Sequence, residues 1–533
     1  MDDAVDVLVI GAGPVGLTMA IALRRLSLRV RIVDRAPGPN LEARADVIFP
    51  RAGEALGALG VGETIRRHAY EMHGVNFYGN GRHLGSFTTG RFDSNYPYAM
   101  TIEQHDIERL LADELRGLGV GVEWRTEATD VRQRDDHALA TLRLPTGVIQ
   151  LAPVAWVVAC DGRRSTVRTR LGIRFDGKLR TNMQVVQGNV TPSWPLRDRP
   201  GHGYIFLGSR CTALAFPTPG QGYRVFCIRD DPEPDRTAPP TLDELRDLVA
   251  DAAGIPDLRL GPTESGWLSR ARFSDRIAAE FRRGTVLLAG DAAHAWAPVG
   301  GHGMNIGILG AHNLAWKLAA VHRRQASDAL LDSYDVEQRA IARAVIRDMK
   351  LNITEVLLPD PAHRVRTVFL RAALPLSGFQ RRVEWLMSDF GRSHRDSPLS
   401  RQESRCVRRL RAGDRMPDVL VAPAAGEPPV RLHRLLGYDR WTLLLAIARA
   451  EPATLRRLRQ ACADCPAAID IVPIAAVGRS SVRHLTNVNH FTLVRPDGHV
   501  GLIAPLDHVD ALSDYLAAFL VSPGPGPDRA LLT

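Results

Sequence analysis

The sequence predicts an α/β protein built around a parallel sheet, and three observations carry that prediction. The stretch "VDVLVIGAGPVGLTMAIALRRLSLRVRIVDR" from Val5 reads strand–helix–strand. Two later apolar runs, "VAWVVACDG" from Val154 and "GTVLLAGD" from Gly284, have the unbroken hydrophobicity of strands buried on both faces, and each ends in an acid beside a glycine. Between them lie stretches rich in Gly, Pro and aromatic residues, with short alternating runs that break the α/β pattern.

Taken in order, Val5 to Ile10 is the first strand, Gly16 to Leu26 a helix of good helix formers, and Val30 to Val33 the second strand. "IEQHDIERLLADELRGLG" from Ile102 predicts an amphipathic helix, with Ile107, Leu110, Leu111 and Leu115 on one stripe. Residues 74–99 and 180–272 carry runs such as "GYIFLG" and "YRVFCIRD", the texture of antiparallel strands. Residues from about Ser333 to Ser393 read as helical. From about 405 the α/β pattern restarts with "WTLLLAIA", a helix and "AIDIVPI". The expected organisation is therefore a Rossmann-like domain made of 1–73, 100–179 and 273–404, the last with a helical region. A mostly antiparallel sheet domain from 74–99 and 180–272 is inserted into it, and a separate α/β domain spans 405–533.

Composition excludes several classes of function. The 533 residues are 45% hydrophobic and 24% charged, with a formal charge of +9. Of 68 basic residues only Lys178, Lys317 and Lys350 are lysine, and the arginines are scattered without a basic tail. That pattern is a compositional bias rather than a nucleic-acid footprint. Six cysteines are too few for a disulfide framework and suit a reduced cytoplasm. No apolar run is long enough to predict a membrane helix, and the acidic start "MDDAVDVLVI" does not read as a signal peptide.

The first chemistry-bearing motif is Gly11-Ala12-Gly13-Pro14-Val15-Gly16, a G-x-G-x-x-G between a strand and a helix. Gly11 permits a tight turn, Gly13 lets a pyrophosphate reach the backbone, and Gly16 lets the helix pack on the sheet. The phosphates of a dinucleotide then sit at the helix N-terminus. Asp34, followed by Arg35, closes the second strand about twenty residues on, where an acid meets a ribose hydroxyl.

Together with "ACDGRRSTVR" and "LLAGDAAHAWAPVGGHGMNIG", this fingerprint closely resembles the class A flavin monooxygenases, the para-hydroxybenzoate hydroxylase-like family. The resemblance covers about residues 4–400. The "GDRMPD" and "RPDGHV" segments resemble the thioredoxin-like C-terminal domain of longer members, which include phenol hydroxylases and tailoring hydroxylases of aromatic polyketides. It implies that FAD is the cofactor and that NAD(P)H reduces it without a second dinucleotide domain. It implies that Asp161, Gly290 and Asp291 stand near the flavin chain. The Pro298–Val299–Gly300–Gly301 turn, with Gly303, Met304 and Asn305, lies beside the isoalloxazine, and the following helix aims its N-terminus at the ring. By the same resemblance Arg44 lies near the phosphates, Gln104 touches the flavin, Ala128 contacts adenine, and Arg51 and Glu54 are structural. His302 stands where Gln is common in the family, and Gly310 where Asp is common.

The reaction the resemblance implies is hydroxylation of an aromatic, phenolic or polycyclic polyketide-type small molecule by O2, by way of a flavin C4a-hydroperoxide. Two alternatives stay open: Baeyer–Villiger oxygen insertion on the same fold, and a flavin- or product-binding protein without turnover. The substrate is expected against the inserted sheet, where Tyr204, Phe206, Phe216, Tyr223 and Phe226 supply aromatic surface. Tyr223 and His73 are weak candidates for a base. His294 reads as a structural hydrogen-bonder. The pair Cys462 and Cys465 lies at the far end of its helix, away from the N-terminus that would lower a thiol pKa, and no second such pair offers a zinc site.

Overall fold

The computed structural model describes residues 5–39, 47–194, 196, 200–220, 222–234, 236–263, 266–297, 299–350, 360–403, 410–423, 427–445, 451–476 and 489–520. Arg44 and Pro298 lie outside the described residues. A six-stranded sheet forms the base of the molecule. Its order is Arg282–Arg283, Val286–Leu288, Trp156–Ala159, Val7–Ile10, Val30–Val33, Val122–Glu123, parallel except for the first pair. Val7, Leu8 and Val9 are fully buried because this strand has neighbours on both edges and belongs to a core shared with helices Pro14–Arg25 and His302–His322 and with the three-stranded antiparallel sheet Glu127–Gln133, Ala138–Arg143, Ile149–Val154. The helix Pro14–Arg25 follows it, starting with proline at its first turn, where no N–H is needed. It packs along the long helix His302–His322. That second helix runs unbroken through Gly310.

The large sheet has nine strands. Its path is His294–Ala295, Leu268–Ala278, Phe175–Ser193, Tyr223–Asp230, Cys211–Pro217, His202–Leu207, Gly74–Gly79, Arg82–Thr88, with Arg259–Pro262 beside the third. Every pairing is antiparallel except His202–Leu207 with Gly74–Gly79. The strands Phe175–Ser193 and Leu268–Ala278 cross the expected limits at 180 and 272, so the sheet grows out of the first domain without a linker. One face of this sheet packs on helix Leu242–Ala253, and the other on residues of the helices His302–His322, Ala329–Lys350 and Asp360–Ala373.

The C-terminal part has the βαβ–ββα order of a thioredoxin-like domain. Trp441–Leu445 is parallel to Ile469–Pro473 through helix Pro452–Ala463. His490–Val494 and Val500–Pro505 then add antiparallel strands before helix Val509–Phe519. Cys462 sits in the last turn of its helix, and burial pushes its thiol up to about 12. Both cysteines are free. Among the described residues no helix is long and apolar enough to cross a membrane.

This domain is welded to the first by a buried ionic network. The turn Arg495–Gly498, inside the "RPDGHV" segment, meets helices His302–His322 and Ala329–Lys350. Glu337 accepts from Arg495 Nη1 at 2.6 Å, from Lys317 Nζ at 2.7 Å and from Asn313 Nδ2 at 2.8 Å. Asn313 also donates to Asp497 at 2.8 Å, and Trp316 Nε1 donates to the same carboxylate at 3.2 Å. A second knot joins Arg51 to Glu54 and to the Asp497 carbonyl at 2.7 Å, with Arg415 Nε on Glu54 at 2.7 Å. Arg51 and Glu54 thus bind the domains together. Burial alone would raise the Glu337 carboxyl, but Arg495, His394 and Lys317 hold it well below the ordinary range. Glu54 is likewise held at about 2 against its burial, chiefly by Arg415 and His433.

A carboxylate with a depressed folded-state pKa contributes stability above its unfolded pKa and loses it as pH falls. The unfolding midpoint should therefore drop below about pH 4.5, the ordinary value for Glu337. Glu337→Gln should cost about 3–5 kcal/mol at neutral pH by leaving buried cations uncompensated, and should flatten that acid limb in thermal denaturation. Replacing Cys462 and Cys465 together by serine should leave flavin content and turnover unchanged under reducing conditions, since neither thiol sits at a helix N-terminus.

Candidate active site

A cleft of about 790 Å³ runs along the carboxyl edge of the parallel sheet. The sheet order gives its axis. Asp291 follows Val286–Leu288, Asp161 follows Trp156–Ala159, Gly11 follows Val7–Ile10, Asp34 follows Val30–Val33, and Trp124 follows Val122–Glu123. All five line the cleft, in that order from one end to the other. Ligands of open α/β sheets bind at this edge because the crossover connections leave a crevice there.

The glycines are explained by distances. Gly11 has φ +104°, and a Cβ on it would lie 2.4 Å from the Cys160 carbonyl oxygen. A Cβ on Gly16 would lie 1.9 Å from the Gly11 oxygen, so helix and strand touch there. Gly13 meets no atom within 4 Å and opens into the cleft. Gly290, at φ +57°, and Gly307 both press on the Val15 side chain, at 3.0 and 2.5 Å for an added Cβ. Gly16 and Gly290 therefore shape the wall from behind and do not line the cleft.

Two helix N-termini open into this one cleft. Gly13 precedes Pro14–Arg25, Gly301 precedes His302–His322, and neither has a side-chain cap. Their first N–H groups stay available to an anionic ligand, and the two dipoles add to the attraction. Gly300 and Gly301, at φ +81° and +69°, make the turn into the second helix. Gly301, Gly303 and Met304 line the cleft; Gly300 points its missing side chain at His302 instead.

The acids accept hydrogen bonds. Asp34 takes the Ala12 N–H at 2.6 Å and the Ala36 N–H at 2.8 Å, which ties the fingerprint turn to the second strand. Each oxygen keeps a lone pair for a further donor. Asp161 accepts from the Val167 N–H at 3.2 Å, and burial pushes its carboxyl up against that bond and one from Ser165. Its Oδ1 is buried with no partner among the described residues. Arg168 fastens this corner by donating to the carbonyls of Ala292 and Arg163, at 2.8 and 2.9 Å. Arg35, Gln104 and Ala128 line the cleft as well, and Gln104 donates to Glu108 at 2.8 Å.

Some expected residues stand elsewhere. Asn305 is fully buried and does not line the cleft. It accepts the Phe49 N–H at 2.7 Å and donates to the Val47 and Gly301 carbonyls at 2.9 and 3.0 Å, so it positions the turn. Tyr223 lies on the helix side of the large sheet, packed on Trp194 at 5.3 Å, and is not a cleft residue. Tyr204 and Phe206 share that side, whereas Phe216 and Phe226 face the other way, and Phe226 lines the cleft. Strand alternation causes this split, since Tyr223 and Phe226 are an odd number of residues apart. His73 is exposed, packed edge-on to Tyr98 at 4.2 Å, and also outside the cleft. His294 is buried, and burial lowers its pKa to about 4, which keeps it neutral.

The sequence reading missed Trp124, Thr126, Glu127, Glu108, Val47 and Trp296 as lining residues. Trp124 to Glu127 had a usable signal, because they follow the last parallel strand and so end at the same edge. Glu108, one turn after Gln104, and Trp296, inside the glycine-rich motif, had a weaker one, and Val47 had none, because tertiary packing alone brings it to the wall.

These features match known proteins. Residues 4–349 match the family model of an FAD binding domain, and residues 410–523 that of the aromatic-ring hydroxylase C-terminal region. The 6-methylpretetramide 4-monooxygenase of Streptomyces rimosus is 32% identical over 555 residues, covering 98% of this chain and 94% of its own. The solved anhydrotetracycline hydroxylase from Streptomyces rimosus is 30% identical with a TM-score of 0.76, covering 97% and 99% of the two chains. A ternary complex of aklavinone-11 hydroxylase with FAD and aklavinone is 25% identical with a TM-score of 0.73, covering 97% and 99%. The cleft and the two matched segments lead to one assignment: the chain belongs to the class A flavin-dependent aromatic monooxygenases.

Proposed function

We propose that the cleft holds FAD along the carboxyl edge of the parallel sheet and that the protein hydroxylates a phenolic or polycyclic polyketide-type aromatic compound at the expense of NAD(P)H and O2. The observation that carries this reading is the line of acids and glycines between two uncapped helix N-termini. The residues fit the cofactor. Gly13 leaves the space a pyrophosphate needs, and the N–H groups after it are its donors. Asp34, Asp161 and Asp291 are acceptors for ribose and ribityl hydroxyls, and Asp161 Oδ1 is an acceptor still without a donor among the described residues.

Bound FAD supplies the two-electron chemistry and the activation of O2. The chain contributes position, field and dryness. The helix start at Gly301–Met304 favours negative charge at the adjacent end of the cleft. Val47, Phe226, Trp296 and Ala297 give that end an apolar wall that keeps water from the reacting atoms. The face of the nine-stranded sheet that carries Phe216 and Phe226 is the side on which the aromatic ring lies. Relatives named for 6-methylpretetramide, anhydrotetracycline and aklavinone support a polycyclic phenol or quinone as the substrate.

Purified protein should be yellow and release FAD, not FMN, on denaturation, as mass analysis of the supernatant will read. Gly13→Val should fold and lose FAD, because its side chain enters only the cleft. Gly16→Val should lose the fold itself, because its Cβ meets backbone. Equal circular dichroism and equal flavin in both variants would reject this site. Turnover is tested by NADPH consumption against phenols and polycyclic quinones, with product mass and peroxide measured together. A product heavier by one oxygen atom supports the reading; consumption that yields peroxide alone with every compound rejects it.

A further inference from the structure

Among the residues that line the cleft, Val47, Phe226, Ala297, Gly301, Gly303 and Met304 carry no polar side chain. Trp296 differs. It lines the cleft, is 9% exposed, and its indole Nε1 is buried with no hydrogen-bond partner among the described residues. Buried N–H groups are nearly always satisfied, because leaving one unmade forfeits the whole of its desolvation cost. In the wall of the cleft the Trp296 N–H is thus an unspent donor.

The indole is held rigidly. Trp296 follows the strand His294–Ala295, which pairs with Arg276 and Ile277 at the edge of the large sheet. Its ring stacks on His294 at 4.7 Å with the planes 10° apart. On its other sides it belongs to an apolar cluster with Val75, Phe77, Phe216 and Ile228 from the large sheet. A Cβ on Gly303 would lie 3.9 Å from Nε1, so the N–H stands beside the first turn of helix His302–His322. The donor therefore sits where the sheet's apolar face meets the flavin cleft, with its orientation set before any ligand arrives. Such preorganisation makes one hydrogen bond selective.

We propose that Trp296 positions the substrate, its indole N–H donating a hydrogen bond to an oxygen on the aromatic ring system, a phenolic hydroxyl or a quinone carbonyl. This rests on the reading of the cleft given under Proposed function and assigns the group within it that selects oxygen-bearing aromatics. The sheet places the ring by apolar contact, and Trp296 fixes its rotation. An aromatic compound of the same size without the oxygen leaves the N–H unpaired and is rejected.

The test is binding to the FAD-loaded protein, with no NAD(P)H, followed by flavin fluorescence. The probes are 1-naphthol and naphthalene. Trp296→Phe keeps a ring against His294 and removes only the donor. It should weaken 1-naphthol about tenfold and leave naphthalene and FAD content unchanged. Equal weakening of both probes would show a packing role only, and loss of FAD would show that the N–H serves the cofactor; either overturns the proposal. So does a wild type that binds 1-naphthol no more tightly than naphthalene. A second measurement needs no variant: in protein with 15N-labelled indoles, 1-naphthol should move one of the eight tryptophan N–H resonances downfield and naphthalene none. No such difference also overturns it. Failure to oxygenate any compound would instead reject the monooxygenase reading and leave these binding results standing.

Discussion

Val15 is the peg on which the site hangs. Its side chain is pressed by Gly290 and Gly307, where added Cβ atoms would stand 3.0 and 2.5 Å away, and the residue beside it, Gly16, touches the Gly11 backbone. That packing brings the first helix against both the turn that carries Asp291 and the helix that begins at His302. Larger residues at 16, 290 or 307 would force the three apart. Because they touch, two helix N-termini end in the same cleft, and the acids at the strand ends are spaced along it by the strand separation of the sheet. The chemistry of the cleft is thus a consequence of backbone-to-backbone contact.

The C-terminal domain extends the same logic. Its Arg495–Gly498 turn meets Asn313 and Trp316 directly, and Lys317 through Glu337, on the very helix whose N-terminus faces the cleft. Burying so many charges is costly, and apolar residues of similar volume often hold a core as well. What the network adds is direction. Each bond to Glu337 or Asp497 has a preferred angle, so the turn fits the helix in one register. Lys317, whose ammonium burial lowers to about 8, is kept charged at neutral pH by Glu337. The helix is therefore held at its middle by the C-terminal domain and at its start by Asn305, which ties Gly301 to the chain at Val47 and Phe49.

Much of this was legible in the sequence where geometry is local. The fingerprint turn, the parallel strands and the acids that close them follow from apolar runs ending in Gly and Asp, because such a run has few other uses. The misplacement of Cys462 and Cys465 was legible too, from their distance along the helix. Distant contacts were not. Asn305 sits in the motif as though it met a ligand, yet it satisfies backbone groups that are more than 250 residues away in sequence. Gly290 and Gly300 look like ligand-facing glycines, and one of them accommodates Val15 while the other faces His302. A glycine in a sequence says that something comes close; only the fold says what.

The aromatic residues of the large sheet carry the last step. Read as a set, Tyr204, Phe206, Phe216, Tyr223 and Phe226 suggest one aromatic surface. The period of a strand divides them, and the division removes the tyrosine hydroxyls from the face that carries Phe226. Tyr204 and Tyr223 pack beneath helix Leu242–Ala253 with Phe206, leaving Phe216 and Phe226 toward the flavin cleft. His73 is outside as well. The cleft wall consequently takes Phe226 and Trp296 from this side and no tyrosine, and its described titratable side chains, among them Asp34, Asp161, Asp291, Glu108 and Glu127, come from the strand ends and the segments beside them. On the proposed reading, a ring oxygen that meets Trp296 finds a donor that cannot take its proton, so its recognition and its deprotonation fall to different groups.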